Sequence, residues 1–92
     1  MLKRKSYKIN FDAVQWEEQR ENRKYMLYAL ESAQMLMGLT KSEIIQKLGD
    51  EFNDVNSNRW TYYVGSRKFF GSKMFLVIFF SAEGKVFKID KV

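Results

Sequence analysis

The uncharged run of residues 74–80 most constrains what this chain can fold into. It is much shorter than the about 20 apolar residues that a membrane-spanning helix needs, so it predicts a buried β-strand. Alternation along the strand divides its side chains between two faces. One face carries Met74, Leu76, Ile78 and Phe80, and the other carries Phe75, Val77 and Phe79. Both faces are apolar, so two separate surfaces have to be covered.

The size and composition of the chain narrow the possible function. Its 92 residues allow one domain, and 46% hydrophobic with 29% charged residues is a globular balance. The sequence has no Cys and no His, which excludes disulfides, thiolate or imidazole metal ligands and His-based catalytic triads. The carboxylates are scattered along the chain, and no serine has an activating neighbour. We therefore expect a non-enzymatic chain with no cofactor and no metal site.

Two helices are predicted before the strongest strand. The first covers residues 22–37, because its apolar residues recur at spacings of three and four. These residues are Met26, Leu30, Ala33 and Met37. Gly38 follows them, as a glycine in the left-handed conformation does after a helix.

The second predicted helix has a clear start. Thr40 and Glu43 have the spacing of a capping box, and Leu39 can pack on Ile44 as a hydrophobic staple. Gly49 is expected to end the helix. The two helices would form a hairpin with its bend at residues 38–39.

Strand patterns surround the central run. Residues 7–11, 60–64 and 86–90 alternate between apolar and polar side chains, and Gly84 suits a hairpin turn before the last strand. In the last strand the alternation places Phe87 and Ile89 on one face, and Lys88 and Asp90 on the other. The predicted fold is therefore α+β, with an N-terminal helical hairpin packed on a three- to four-stranded antiparallel sheet. A single domain of residues 7–92 would follow a basic arm of residues 1–6.

A helical hairpin can cover only one face of such a sheet. The second face would be covered by the N-terminal segment around Phe11 and Trp16, by a second copy of the chain, or by another protein. We expect a partner protein or a homodimer to contact an aromatic face of the sheet and the loop of residues 66–73. The predicted contact residues are Trp60, Tyr62, Arg67, Phe69 and Phe70. Tyr63 is an equal alternative to Tyr62, because the pattern does not say which face of that strand is buried.

The net charge of +5 comes mostly from the N-terminus. Four basic residues there have no acidic neighbour: Lys3, Arg4, Lys5 and Lys8. Such an arm could bind nucleic acid, which is the alternative function. The absence of charge in residues 74–80 favours protein contact over phosphate contact.

One segment resembles the start of a calcium-binding loop. Residues 54–58 supply Asp and Asn at the required spacing, but Arg59 stands where glycine is needed and Gly65 where a glutamate is needed. The segment therefore predicts an Asx turn.

Several short motifs occur together in a characteristic order. They are Phe11-Asp12 with Trp16, then Arg23, Met26 and Leu30, then residues 38–45, Leu48-Gly49, 60–65, 76–80 and 84–86. In this arrangement residues 7–91 resemble the small SmpA/OmlA (BamE-like) proteins. The resemblance implies the fold of β-lactamase inhibitor proteins, in which a helical hairpin packs on an antiparallel sheet and the other sheet face contacts proteins. Members of this family are commonly envelope lipoproteins that serve outer-membrane β-barrel assembly.

The chain departs from the family pattern at three places. It has no lipobox cysteine, Tyr28-Ala29 stands where an acidic pair is usual, and Asp50-Glu51 replaces the usual proline. The resemblance implies a cell-envelope location if a leader was removed, and otherwise we expect a cytoplasmic protein.

Overall fold

The computed structural model describes residues 10–32, 34–67 and 71–92. The helices are α1 (Ala13–Glu18), a 3-10 turn (Arg20–Asn22), α2 (Arg23–Ser32) and α3 (Lys41–Leu48). The strands are β1 (Arg59–Ser66), β2 (Lys73–Phe80) and β3 (Val86–Lys91). The predicted α+β class is confirmed. Among these described helices none has the length and apolar character that crossing a membrane requires.

The strands form an antiparallel meander in the order β1-β2-β3. Strand β2 is therefore central, as its two apolar faces require. The sheet has three strands within the described residues. Most of the predicted strand of residues 7–11 lies outside them, and Phe11 at its end is not in a strand.

Helix α2 is shorter than predicted. It ends at Ser32, and Gln34 has a left-handed backbone with φ of 51°. The amide of Met35 donates to the carbonyl oxygen of Leu30 at 3.1 Å, and residues 34–38 form turns. The predicted helical end at Met37 is wrong, because these turns rotate Leu36 into the core and leave Met37 40% exposed.

The predicted start and end of α3 are confirmed. The amide of Glu43 donates to Thr40 Oγ1 at 3.2 Å, and the amide of Thr40 donates to Glu43 Oε1 at 2.8 Å. The hydrogen bonds from the Thr40 backbone and side chain lower the pKa of Glu43, because they favour the charged carboxylate. Gly49 ends the helix with φ of 79°.

The core lies between the helices and one face of the sheet. Strand β2 contributes Leu76, Ile78 and Phe80, and α3 contributes Ile44 and Leu48. Helix α1 begins at the N-cap Asp12, whose carboxylate accepts the amides of residues 14 and 15. This cap lets a six-residue helix place Trp16, which is fully buried, with its ring centroid 6.3 Å from that of Tyr62.

Gly65 allows the 3-10 turn to pass close to β1. Its φ is 127°, and a β-carbon added there would lie 2.8 Å from the backbone oxygen of Glu21. The register of β1 against β2 shifts between Tyr63 and Gly65. Only glycine combines this backbone conformation with the close contact.

Candidate functional site

Two of the predicted contact residues are core residues. Trp60 and Tyr62 are fully buried on the sheet face that packs on the helices. Trp60 Nε1 donates to the carbonyl oxygen of Asp54 at 2.9 Å, and Tyr62 Oη donates to that of Gly49 at 2.6 Å. Burial, with the charges of Glu51 and Asp50, raises the pKa of Tyr62. A partner could reach these side chains only if the core opened. Tyr63, the alternative to Tyr62, lies on the opposite face of β1 and is partly exposed.

The predicted contact loop is described only in part. Phe69 and Phe70 lie outside the described residues. Arg67 is exposed, and its guanidinium group donates to Ser72 Oγ at 3.3 Å and to the backbone oxygen of Lys73 at 3.4 Å. Arg67 therefore folds back on its own hairpin.

We call the sheet surface turned away from the helices the outer face. The alternation along each strand and the register between strands assign ten residues to it. They are Arg59, Thr61, Tyr63 and Ser66 on β1, Lys73, Phe75, Val77 and Phe79 on β2, and Lys88 and Asp90 on β3. Val77 is 1% exposed, whereas the flanking Phe75 and Phe79 are each partly exposed. The predicted two-sided character of β2 is confirmed.

The described part of the N-terminal segment does not lie on the outer face. The Phe11 ring centroid is 6.1 Å from that of Trp16, which packs in turn on Tyr62. These contacts place residues 11–16 on the core side of the sheet. Of the three possible covers for the outer face, residues 11–16 are therefore not one. The 3-10 turn that follows does reach one end of it: the Arg20 guanidinium carbon is 5.3 Å from the Tyr63 ring centroid, and Tyr63 Oη donates to Glu21 Oε2 at 2.5 Å.

Two cations flank the Phe79 ring. Arg59 lies directly across from Phe79 on β1, and Lys88 lies directly across on β3. The Arg59 guanidinium carbon is 5.9 Å from the ring centroid, and Lys88 Nζ is 5.2 Å from it. Neither cation forms an ion pair with any carboxylate in the described part of the chain. The outer face thus presents an aromatic ring between two cations that have no anionic partner there.

A β-bulge adds a residue that alternation missed. The register of β2 against β3 shifts between Phe79 and Phe80, so Lys88 pairs with Phe79 but Val86 pairs with Phe80. The extra residue, Phe87, is 56% exposed, and its ring centroid is 6.5 Å from that of Phe79. The sequence predicted Phe87 on the face of Ile89. Because two residues of a bulged strand oppose one partner residue, the bulge brings the Phe87 ring beside Phe79, while Phe87 still lines a groove with Ile89 at the edge of the sheet.

Side chains close the free edge of β1. Before the bulge in β1, the residues whose backbone groups point away from β2 are Arg59, Thr61 and Tyr63. Beyond the bulge, Lys24 Nζ donates to the outward carbonyl oxygen of Ser66 at 2.8 Å. Ser57 Oγ bonds both backbone groups of Arg59, and the Asn53 amide bonds both groups of Thr61. At Tyr63, Glu51 Oε2 accepts the N–H at 3.0 Å and Arg23 donates to the carbonyl oxygen at 2.9 Å. These side chains take the place of a fourth strand and leave no ladder for a further strand to join.

Arg23 and Glu51 form a buried polar network behind this edge. Arg23 is 3% exposed. Its Nε donates to the Trp16 backbone oxygen at 2.6 Å, and Nη1 donates to Glu51 Oε1 at 2.8 Å. The guanidinium carbon also lies 4.6 Å from the Trp16 ring centroid. The network joins α1, α2 and the loop after α3 to the sheet. It could not be predicted from the sequence, because Arg23 and Glu51 are 28 residues apart and no local pattern relates them.

The loop after α3 contains two further features. The carboxylate of Asp54 accepts the amide of Asn56 at 2.9 Å, which confirms the predicted Asx turn. Phe52 is fully exposed with φ of 63°, beside an open cavity of about 340 Å³ that Arg20 and Leu48 help to line. Within the described residues, every buried polar side-chain group that lines the cavity has a hydrogen-bond partner.

Comparison of the chain with family models, with curated proteins and with solved structures finds no match. The resemblance to BamE-like proteins therefore stays a hypothesis based on the residues quoted above.

Proposed function

We propose that this chain is a non-enzymatic protein-binding or structural module whose contact surface is the outer face. The observation that carries the proposal is the Phe79 ring, which lies between Arg59 and Lys88. Aromatic residues and arginine supply most of the binding energy at protein interfaces. Tyr63 and Phe75 extend this surface, since their rings meet edge to face at 6.0 Å.

The charge of the outer face indicates what a partner would present. Among its strand residues Asp90 is the only carboxylate, against the cations of Arg59, Lys73 and Lys88, and the Glu21 carboxylate lies at its Tyr63 end. A partner that places a carboxylate beside an apolar side chain would pair with a cation and cover Phe79 at once. The resemblance to BamE-like proteins, whose sheet contacts other proteins, supports the same proposal and would place such a partner in the cell envelope.

Site-specific photo-crosslinking in the native host tests this proposal. Benzoylphenylalanine replaces Phe79 in one variant and Val14 in the control variant, because Val14 is 63% exposed on α1, which packs on the core side of the sheet. We expect a discrete crosslinked protein from position 79 and none from position 14. Reversing the charges of Arg59 and Lys88 to Glu should weaken that crosslink about tenfold. Equal crosslinking from both positions, or none from position 79, would contradict the proposal.

The same geometry favours one second candidate, single-stranded nucleic acid. A base could stack on Phe79 while Arg59 and Lys88 contact the adjacent phosphates. The basic arm with Lys3 and Lys8, which lies outside the described residues, would add further phosphate contacts.

Fluorescence anisotropy with a labelled single-stranded oligonucleotide separates the two candidates. Binding that falls steeply between about 50 mM and about 200 mM salt, and that weakens in Phe79→Leu, would favour nucleic acid. The protein-contact proposal expects no binding even at the lower salt concentration.

A further inference from the structure

The two edges of the sheet differ in how their backbone groups are satisfied. Phe75 and Val92 exchange both backbone hydrogen bonds, at 2.8 and 2.9 Å. Antiparallel pairs alternate, so residues 88, 90 and 92 direct their backbone groups toward β2, and Ile89 directs its N–H and C=O away from the sheet. No residue in the described ranges bonds these two groups of Ile89. The edge of β3 is therefore open at Ile89, whereas that of β1 is closed.

The β3 edge is bonded on both sides of Ile89. On the C-terminal side the Lys91 amide donates to Asp90 Oδ1 at 2.9 Å. On the N-terminal side a bridge closes Val86. The Val86 amide donates to the Leu39 carbonyl oxygen at 2.9 Å, and the Gly38 amide donates to the Val86 carbonyl oxygen at 2.8 Å. Beyond this bridge, β3 has neither a proline nor a second bulge to prevent pairing with another strand.

A groove lies beside the open edge. It has a volume of about 340 Å³, and it is lined by the apolar Met37, Phe87 and Ile89 and by the polar Gln34 and Lys88. Met37 is 40% exposed and Phe87 is 56% exposed. An added strand would therefore gain backbone hydrogen bonds and an apolar surface for its side chains.

We propose that a second copy of this chain pairs antiparallel with the β3 edge, about a two-fold axis at Ile89. Outward-facing residues pair with one another, so Ile89 lies opposite Ile89 of the second copy. Lys88 then lies opposite Asp90 of the second copy, and Asp90 opposite Lys88 of the second copy. Cross-strand neighbours at such positions are close enough for opposite charges to attract.

The charges also select this register over its neighbours. A slip by one step in one direction places Lys88 opposite Lys88 of the second copy. A slip in the other direction places Asp90 opposite Asp90 of the second copy. Like charges directly opposite each other are destabilising, so only the register centred on Ile89 is complementary. The product is a six-stranded sheet with two outer faces side by side.

Charge reversal with mixing tests this dimer. Sedimentation equilibrium on the full chain should show a monomer–dimer equilibrium, over roughly 10 µM to 1 mM because a single strand edge is a small interface. Lys88→Glu alone and Asp90→Lys alone should each weaken the dimer about tenfold, because both cross-strand pairs become repulsive. An equimolar mixture of the two variants should recover the affinity, since the heterodimer pairs opposite charges at both positions.

Several results would overturn the inference. They are a chain that is monomeric at 1 mM, single reversals that leave the dimer unchanged, and a mixture that recovers nothing. A dimer that Phe79→Leu disrupts but that the reversals do not would place the contact on the outer face instead. Thermal unfolding of each variant checks that it is folded. The assay contains only this chain, so its outcome is independent of whether the outer face binds another protein.

Discussion

The buried pair of Arg23 and Glu51 allows a quantitative test of how the fold is held together. Glu51 accepts hydrogen bonds from Arg23 at 2.8 Å, from the Tyr63 amide at 3.0 Å and from Arg20 at 3.2 Å. The substitution Glu51→Ala would remove both carboxylate oxygens and with them all three hydrogen bonds. It would leave the Arg23 guanidinium buried without its carboxylate and the edge amide of Tyr63 without a partner.

The expected cost follows from the burial of the two side chains. Removing one partner of a buried ion pair costs about 3–5 kcal/mol. The Glu51 side chain is 17% exposed, so water can partly replace it, and we expect a loss near the lower end, about 3 kcal/mol. The Arg20 bond adds little, because the Arg20 side chain is 53% exposed. For a domain of this size the loss corresponds to a melting temperature lower by roughly 12–24 °C.

Urea unfolding followed by tryptophan fluorescence measures this loss, since Trp16 and Trp60 are both buried. Glu83→Ala is the matched control, because Glu83 is exposed in the turn before β3, and we expect a change within about 0.5 kcal/mol. Replacing both Arg23 and Glu51 by Met should cost less than Glu51→Ala, since no buried charge then remains unpaired. A loss below about 1 kcal/mol for Glu51→Ala would refute the reasoning.

Three further substitutions test single features of the fold. Gly65→Ala should destabilise by about 2 kcal/mol or more in the same urea assay, because its β-carbon meets the Glu21 backbone oxygen; an unchanged midpoint would contradict this. Phe52→Asn should raise the free energy of unfolding by roughly 0.5 kcal/mol, because asparagine tolerates a φ of 63° better and the Phe52 ring is fully exposed; a loss would show that Phe52 makes a stabilising contact. The folded state raises the pKa of Tyr62, so the unfolded chain loses this proton at a lower pH than the folded chain. The stability that the buried neutral Tyr62 contributes is therefore full below about pH 10 and falls as the pH rises further. Tyr62→Phe should therefore flatten the alkaline loss of stability, and an unchanged slope between about pH 9 and pH 11 would contradict this.

The features that the sequence predicted correctly are local. The capping box at Thr40 and the end of α3 at Gly49 depend on residues within one helical turn of each terminus. The central strand was predictable because a run of seven uncharged, apolar residues is too short for a membrane span and suits a strand that is buried on both faces. The Asx turn at Asp54 is also a contact between near neighbours.

The features that the sequence did not predict depend on contacts between distant segments. The periodicity of α2 continues to Met37, but the amide of Gly38 bonds Val86 and the chain turns before that point. The bulge at Phe87 shifts the strand pairing by one residue, but the apolar–polar alternation of the sequence shows no sign of it. Which face of β1 is buried was settled by Trp16, because the side that packs on α1 is the side of Tyr62.

The closed edge of β1 and the open edge of β3 have a common physical basis. Closing β1 requires four polar side chains from the helices and the loop after α3, and one of them, Arg23, becomes a buried charge that needs Glu51. Pairing the three exposed backbone positions in this way makes β1 unable to accept another strand. Strand β3 receives such help at Val86, through the bridge to residues 38–39, and at Lys91, whose amide donates to Asp90 Oδ1 at 2.9 Å; the backbone groups of Ile89 lie between these two positions. A strand that joins this sheet can therefore pair with β3 at Ile89. When that strand is an antiparallel second copy of β3, Lys88 of each copy lies opposite Asp90 of the other.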